Sequence, residues 1–196
     1  MTTMKVLSIE QFNEKLDIKP ITKERLYNTA NGLKMKSVVI GNLEWCAENV
    51  KTLYAANGSY LQPNVDYFKK GKEIYYTLVG ARKIVPNGWR IPTKSDYDNL
   101  YDTVGYDNIS KLVSTDYDGC TNEFGFDAKM VGYFSYYTVD TVGVGKEACI
   151  LIDDIIDAGR VDESYFIDII YDGYWKMPLV RMNAQNGFSV RFVKDI

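Results

Sequence analysis

The chain has 196 residues, 46 % of them hydrophobic and 25 % charged, a mixture that fits one globular domain with at most a short extra segment. Its net charge is -3, and its one dense basic run is Lys69-Lys70-Gly71-Lys72, so the electrostatic footprint of a nucleic-acid binder is missing. There is no histidine, which excludes the usual catalytic triads and histidine metal sites; the three cysteines (Cys46, Cys120, Cys149) are odd in number and widely spaced, which suggests neither a disulfide framework nor a zinc centre.

At the N-terminus, Ser8 to Leu16 reads as a short helix. Ser8 caps it, Gln11 completes a capping box, and Ile9, Phe12 and Leu16 share one face. Pro20 ends it, because a proline disfavours helix at the residue before it. A single amphipathic helix of this size cannot stand alone. It docks on the rest of the chain, on a second copy or on a larger assembly, and Ile9, Phe12 and Leu16 are the candidate assembly anchor. The stretch after Lys5 is too short for a signal-peptide core and Glu10 interrupts it. Synthesis in the cytoplasm is expected, and free cysteines fit that compartment. No window reaches the length of a membrane span, so no membrane insertion is expected.

Leu33 to Asn49 reads as strand, turn, strand, with Gly41-Asn42 at the turn. Ala55 to Lys72 reads as a polar loop and Glu73 to Val79 as a strand. In Val85 to Leu100, Pro86-Asn87-Gly88 forms a turn, Trp89 and Ile91 point to one side of an extended segment, and Pro92 ends it. Thr93 caps a helix, Asp96 completes its capping box, Tyr97, Leu100, Tyr101 and Val104 form the apolar stripe, and Gly105 stops it. A second short helix is expected near Asn108 to Val113. Ala148 to Ile156 and Ser164 to Tyr171 read as strands, Asp172 to Gly187 as a polar loop, and Phe188 to Val193 as the closing strand.

Catalytic patterns are missing. Gly143-Val144-Gly145-Lys146 lacks the rest of a phosphate loop. Asp153, Asp154 and Asp157 read as solvated edge acids, since neighbouring residues of a strand point to opposite faces. Gln62-Pro63-Asn64 resembles a sugar-selecting tripeptide of calcium-dependent lectins but stands before the Trp89 strand, out of place for one. Neither a cofactor nor a metal is expected, and the chain is not expected to be an enzyme.

Four ordered motifs carry a resemblance: Trp45-Cys46-Ala47-Glu48-Asn49, Gly88-Trp89-Arg90-Ile91-Pro92-Thr93, Thr121-Asn122-Glu123-Phe124-Gly125-Phe126, and Gly187-Phe188-Ser189-Val190-Arg191-Phe192-Val193. The region Leu43 to Asp195 resembles the Fibrobacter succinogenes major paralogous domain, a family widespread in Bacteroidetes and their phages. Two departures stand out. Val85 and Phe192 occupy positions where relatives often carry cysteine, so an apolar pair would replace a staple. Leu151-Ile152-Asp153-Asp154 stands where relatives carry a W-S-S-T segment. The resemblance implies an α+β, C-type-lectin-like domain over residues 33–196, with mixed antiparallel sheets, one or two helices and long loops, preceded by a short N-terminal segment over 1–32.

Trp45, Trp89, Arg90, Pro92, Gly125, Phe188 and Arg191 are read as residues that hold the fold, with Trp89 and Phe188 in the core. The resemblance places ligand-facing residues on loops before the closing strand: Tyr174, Trp175, Met177, Arg181, Asn183, Gln185 and Asn186. Rings and arginine serve there as anchors and amides as adaptable contacts. The expected function is a phage virion protein, a head or tail fibre or a decoration, displaying this domain to a host-surface polysaccharide or protein. Residues 1–32 would bind other virion proteins, and a homo-oligomer would multiply weak binding. The alternatives are a bacterial surface or secreted adhesin-like domain and a purely structural capsid component.

Overall fold

The computed structural model describes residues 23–26, 34–154 and 163–196. The expected helix over Ser8 to Leu16, with its Ile9, Phe12 and Leu16 face, lies outside the described residues. The first sheet orders β1 (Lys23–Leu26), β2 (Lys34–Ile40), β3 (Leu43–Cys46) and β12 (Val193–Asp195), all antiparallel. This sheet begins at Lys23, inside the segment assigned above to residues 1–32. The β2–β3 turn falls on Gly41-Asn42 as expected, with Gly41 in the left-handed region that glycine adopts without penalty.

The second sheet is centred on β9 (Glu163–Tyr171). β8 (Glu147–Ile152) pairs along one edge, while β10 (Trp175–Lys176) and β11 (Leu179–Asn183) share the other. Pro178, which has no N–H to give to a ladder, interrupts that edge, and its carbonyl instead accepts from Asp168 N at 2.9 Å. The expected polar loop over Asp172 to Gly187 is therefore corrected: two strands, Trp175–Lys176 and Leu179–Asn183, run within it. Their residues are partly exposed and polar on one side, which hides the alternation.

Two smaller hairpins complete the β structure: β4 (Tyr67–Lys70) with β5 (Glu73–Tyr76), and β6 (Tyr133–Ser135) with β7 (Asp140–Val142). The Ala55 to Lys72 loop thus ends in a strand. Its lysines form the exposed tip of a hairpin whose base, Tyr67 and Phe68, is buried. The expected strand over Glu73 to Val79 stops at Tyr76. Thr77 Oγ1 accepts from Gly80 N at 3.2 Å and caps α1 (Leu78–Lys83). A Cβ at Gly80 would collide with the Asp66 carbonyl, so this helix can only approach the preceding loop through glycine.

α2 (Lys94–Val104) has the expected capping box between Thr93 and Asp96, and Gly105 at its end. Leu100 and Val104 are buried, and Tyr97 and Tyr101 pack beside them. The second short helix is a 3₁₀ segment over Tyr106–Leu112.

The expected closing strand over Phe188 to Val193 is also corrected. It is a buried thread that pairs with one element after another. Gly187 exchanges hydrogen bonds with Phe134 (2.8 and 2.9 Å), and Phe188 with Tyr76 (2.8 and 2.9 Å). Ser189 follows with Cys149 and Leu151 (3.1 and 2.9 Å), and the carbonyls of Val190 and Phe192 accept from Val50 and Cys46, each at 2.9 Å. Only at Val193 does the thread become β12. Phe188, Val190 and Phe192 point into one apolar cluster. A second cluster, built on Trp45, Leu100, Phe126, Ile150 and Ile167, fills the space between the first sheet, α2 and β8–β9.

Candidate functional site

An open cleft of about 510 Å³ lies where three chain segments meet. The β9–β10 hairpin brings Tyr171 and Trp175 into cross-strand register, with ring centroids 5.3 Å apart. Its turn, Asp172-Gly173-Tyr174, depends on Gly173 at φ 76°. Tyr117, Asp118 and Gly119 come from the loop after the 3₁₀ segment, and Gly145 and Lys146 from the turn before β8. Met130 lies at the base, where its N–H donates to Tyr117 Oη at 2.9 Å and fixes that ring. Trp175 is half-buried against the core while Tyr171 is 56 % exposed, so one ring is anchored and the other presents its face. Asp118 and Lys146 are exposed and form no ion pair among the described residues. Rigid rings with two free opposite charges suit recognition of an amphipathic, hydroxyl-rich or zwitterionic ligand.

The seven residues expected on ligand-facing loops do not gather in one place. Trp175 lines the cleft, and Tyr174 stands beside it at the turn, 51 % exposed, under Lys176 Nζ at 4.3 Å. Met177 is buried in the core, and its carbonyl accepts from Tyr97 Oη at 2.7 Å. Arg181 stands on β11, over the Tyr165 ring and 3.4 Å from Glu163. Asn183, Gln185 and Asn186 belong to another surface, beneath the tip of the β6–β7 hairpin. Asn183 Nδ2 donates to Tyr137 Oη at 3.1 Å, Asn183 Oδ1 accepts from Gln185 N at 2.8 Å, and the buried Asn186 accepts from Tyr136 N at 3.0 Å. The amides there hold a turn in place. Tyr171, Tyr117 and Lys146, which the sequence reading passed over, are the cleft residues; the signal available for Tyr171 was its two-strand pairing across Asp172-Gly173.

Of the seven motif residues, Trp45, Pro92, Phe188 and Arg191 are buried. Trp45 is fully buried and meets the Phe126 ring edge-on at 5.6 Å. Gly125, at φ 67°, turns the chain so that Phe126 enters the core. Phe188 is fully buried and stacks on Phe166 at 4.8 Å. Pro92 is buried, with its carbonyl accepting from Asp153 N at 2.8 Å. Trp89 departs from expectation: it is only half-buried, packed on the edge of the Phe188 cluster. Val85 and Phe192 both join that cluster, and the three cysteines are free. Arg90 pairs with Asp96 in a two-pronged contact and with Asp195 at 2.7 Å. Burial would raise the Asp96 carboxyl, but Arg90 and Thr93 together hold it below its usual value.

Residues 38–194 match the family model of the Fibrobacter succinogenes major domain. The chain belongs to that family. Neither a curated protein nor a solved structure matches it significantly.

This Fibrobacter succinogenes major domain carries a second concentration of chemistry that the sequence reading did not single out. Glu147 and Cys149 are two apart on β8 and share a face, and Asp168 sits directly opposite Cys149 on β9. Their side-chain donor atoms all lie within 4.8 Å of one another. Burial first, and then the Glu147 charge, push the Asp168 carboxyl up to about 7. Burial likewise raises the Glu147 carboxyl and, strongly, the Cys149 thiol.

Proposed function

We propose that the domain is a non-enzymatic binding module of C-type-lectin-like fold that holds a carbohydrate in the Tyr117, Tyr171 and Trp175 cleft, displayed on a phage virion to a host surface. The observation that carries the binding reading is the cleft itself: rings from two segments face one opening, and sugars lay their C–H faces on such rings while free polar groups take their hydroxyls. Its lining contains a single carboxylate, Asp118, whereas glycoside hydrolysis uses two. The lectin-like assignment draws support from small antiparallel sheets, two helices, long loops and the return of β12 to the first sheet. The virion placement rests on the resemblance of the sequence motifs.

Binding is tested by calorimetric titration with host-surface polysaccharide fragments. Trp175→Ala is expected to cost about 2 kcal/mol, roughly thirtyfold in Kd, as the central anchor of such a site. Affinity that survives both Trp175→Ala and Tyr171→Ala in folded protein sinks the cleft as the site. The display reading is tested separately, by light scattering of the full chain and of a truncation starting at Lys23, which keeps β1. An oligomer that falls to a folded monomer supports an N-terminal assembly segment; a full chain that is already monomeric removes that support.

A further inference from the structure

We propose that Glu147, Cys149 and Asp168 form a site for a divalent ion of the zinc class, held by one thiolate and two carboxylates across the β8–β9 pair. This differs from the expectation of no metal, which rested on the lack of histidine and on wide cysteine spacing. Spacing along the chain misses a site whose ligands meet across a ladder. The sheet fixes the geometry: two ligands come from one face of β8, and the third stands opposite the thiol on β9. The donor atoms are within 4.8 Å of one another, and a tetrahedral ion with bonds of about 2.0–2.3 Å draws such atoms to about 3.5 Å apart, a change within reach of side-chain rotation.

The observation that points to a ligand is Asp168. It is 8 % exposed, yet among the described residues its carboxylate meets no cation and no partner outside the cluster. Its one contact is with Cys149 Sγ at 4.0 Å, the outer limit for sulfur. A carboxylate this buried is ordinarily paired or ligating. Every lysine and arginine ion pair described lies elsewhere; Lys146, next to Glu147, turns to the solvent-exposed cleft. The backbone of the turn before β8 lies close over the cluster: a Cβ at Gly143 would meet Glu147 Oε1, so a larger residue there would push that carboxylate aside. Mixed sulfur and oxygen donors select a borderline ion such as Zn²⁺ over Mg²⁺ or Ca²⁺, which prefer oxygen alone. On binding, the thiol proton passes to solvent and the sulfur–metal bond forms. Three protein ligands leave a fourth position for water.

The test is titration of the chelator-treated full chain with Co²⁺, followed by displacement with Zn²⁺. The expected result is a thiolate-to-cobalt charge-transfer band in the near ultraviolet, lost on adding Zn²⁺ and absent in Cys149→Ser. Glu147→Gln, at the half-exposed ligand and so the variant least disturbing to the fold, is expected to weaken Co²⁺ binding by roughly tenfold or more. No band in the wild-type chain overturns the proposal. A band that persists in folded Cys149→Ser but disappears in Cys120→Ser also overturns it, by placing the ion at the half-buried Cys120.

Discussion

Arg191→Ala is expected to lower the unfolding free energy by about 4 kcal/mol or more, the largest loss for any single polar side chain in the domain. The side chain is fully buried, and its donors reach four acceptors from two distant segments, 46–49 and 126–127. Nε donates to Asn49 Oδ1 at 2.9 Å; the two terminal nitrogens reach the carbonyls of Cys46 (3.4 Å), Phe126 and Asp127 (2.9 Å). The guanidinium also lies over the Phe126 ring, 4.4 Å from its centroid. Burial pulls its pKa down to about 10, leaving it charged at neutral pH. Alanine would leave those carbonyls without their donor and open a cavity behind the ring. A thermal or urea melt checks this, with a fall in Tm of roughly 10 °C or more for a domain of this size. Arg191→Lys is expected to recover little, because an ammonium cannot span acceptors arranged around a planar fork. A melt within experimental error of wild type would mean the acceptors find other donors, and that the closing motif is held by its apolar residues alone.

How far this was legible in the sequence depends on how local the cause is. The capping box of Thr93 and Asp96, the Gly105 stop and the Gly41-Asn42 turn are local chemistry, and each stands where the residues put it. Phe188 was legible as core from its motif, whereas Trp89, expected beside it in the core, is only half-buried. Thr77 was not legible as a cap, because Ile74 to Val79 is mostly β-branched and aromatic and reads as a strand; the Thr77 bond to Gly80 N and the close approach of Gly80 to Asp66 appear only in the fold. The Asp172 to Gly187 segment failed for a related reason. β10 and β11 pair with β9 on a half-exposed edge, where every residue but the exposed Arg181 is partly covered, so no buried–exposed alternation marks them as strands. The candidate site suffered most. Trp175 was anticipated, but its partners Tyr171 and Tyr117 come from a strand end and from a loop far back in the chain, and no spacing rule joins them. The Glu147, Cys149 and Asp168 cluster is invisible for the same reason, since register across a ladder is set by the whole sheet.

Phe188→Ala carries the second large effect, a loss of about 3–5 kcal/mol. The ring is fully buried between Phe166 (4.8 Å) and Tyr133 (6.0 Å), and its removal leaves a hole that two stacked rings cannot close without moving their strands. Stability alone would not separate this from any other core truncation. The distinguishing measurement is hydrogen exchange. The backbone thread through Gly187, Phe188 and Ser189 accepts from the amides of Phe134, Tyr76 and Leu151, which belong to three different strands. If the thread ties those strands together, the variant speeds exchange at all three amides by a similar factor, while the β1–β2–β3 amides follow only global unfolding. Faster exchange at Tyr76 alone would mean that each strand is held by its own hairpin, and that the thread fills space between units that are stable without it. The first outcome is expected, because β4–β5 and β6–β7 are two-stranded, and an isolated hairpin is marginal in water. Such pairs take their stability from a third strand, and the buried closing segment is the third strand that both share.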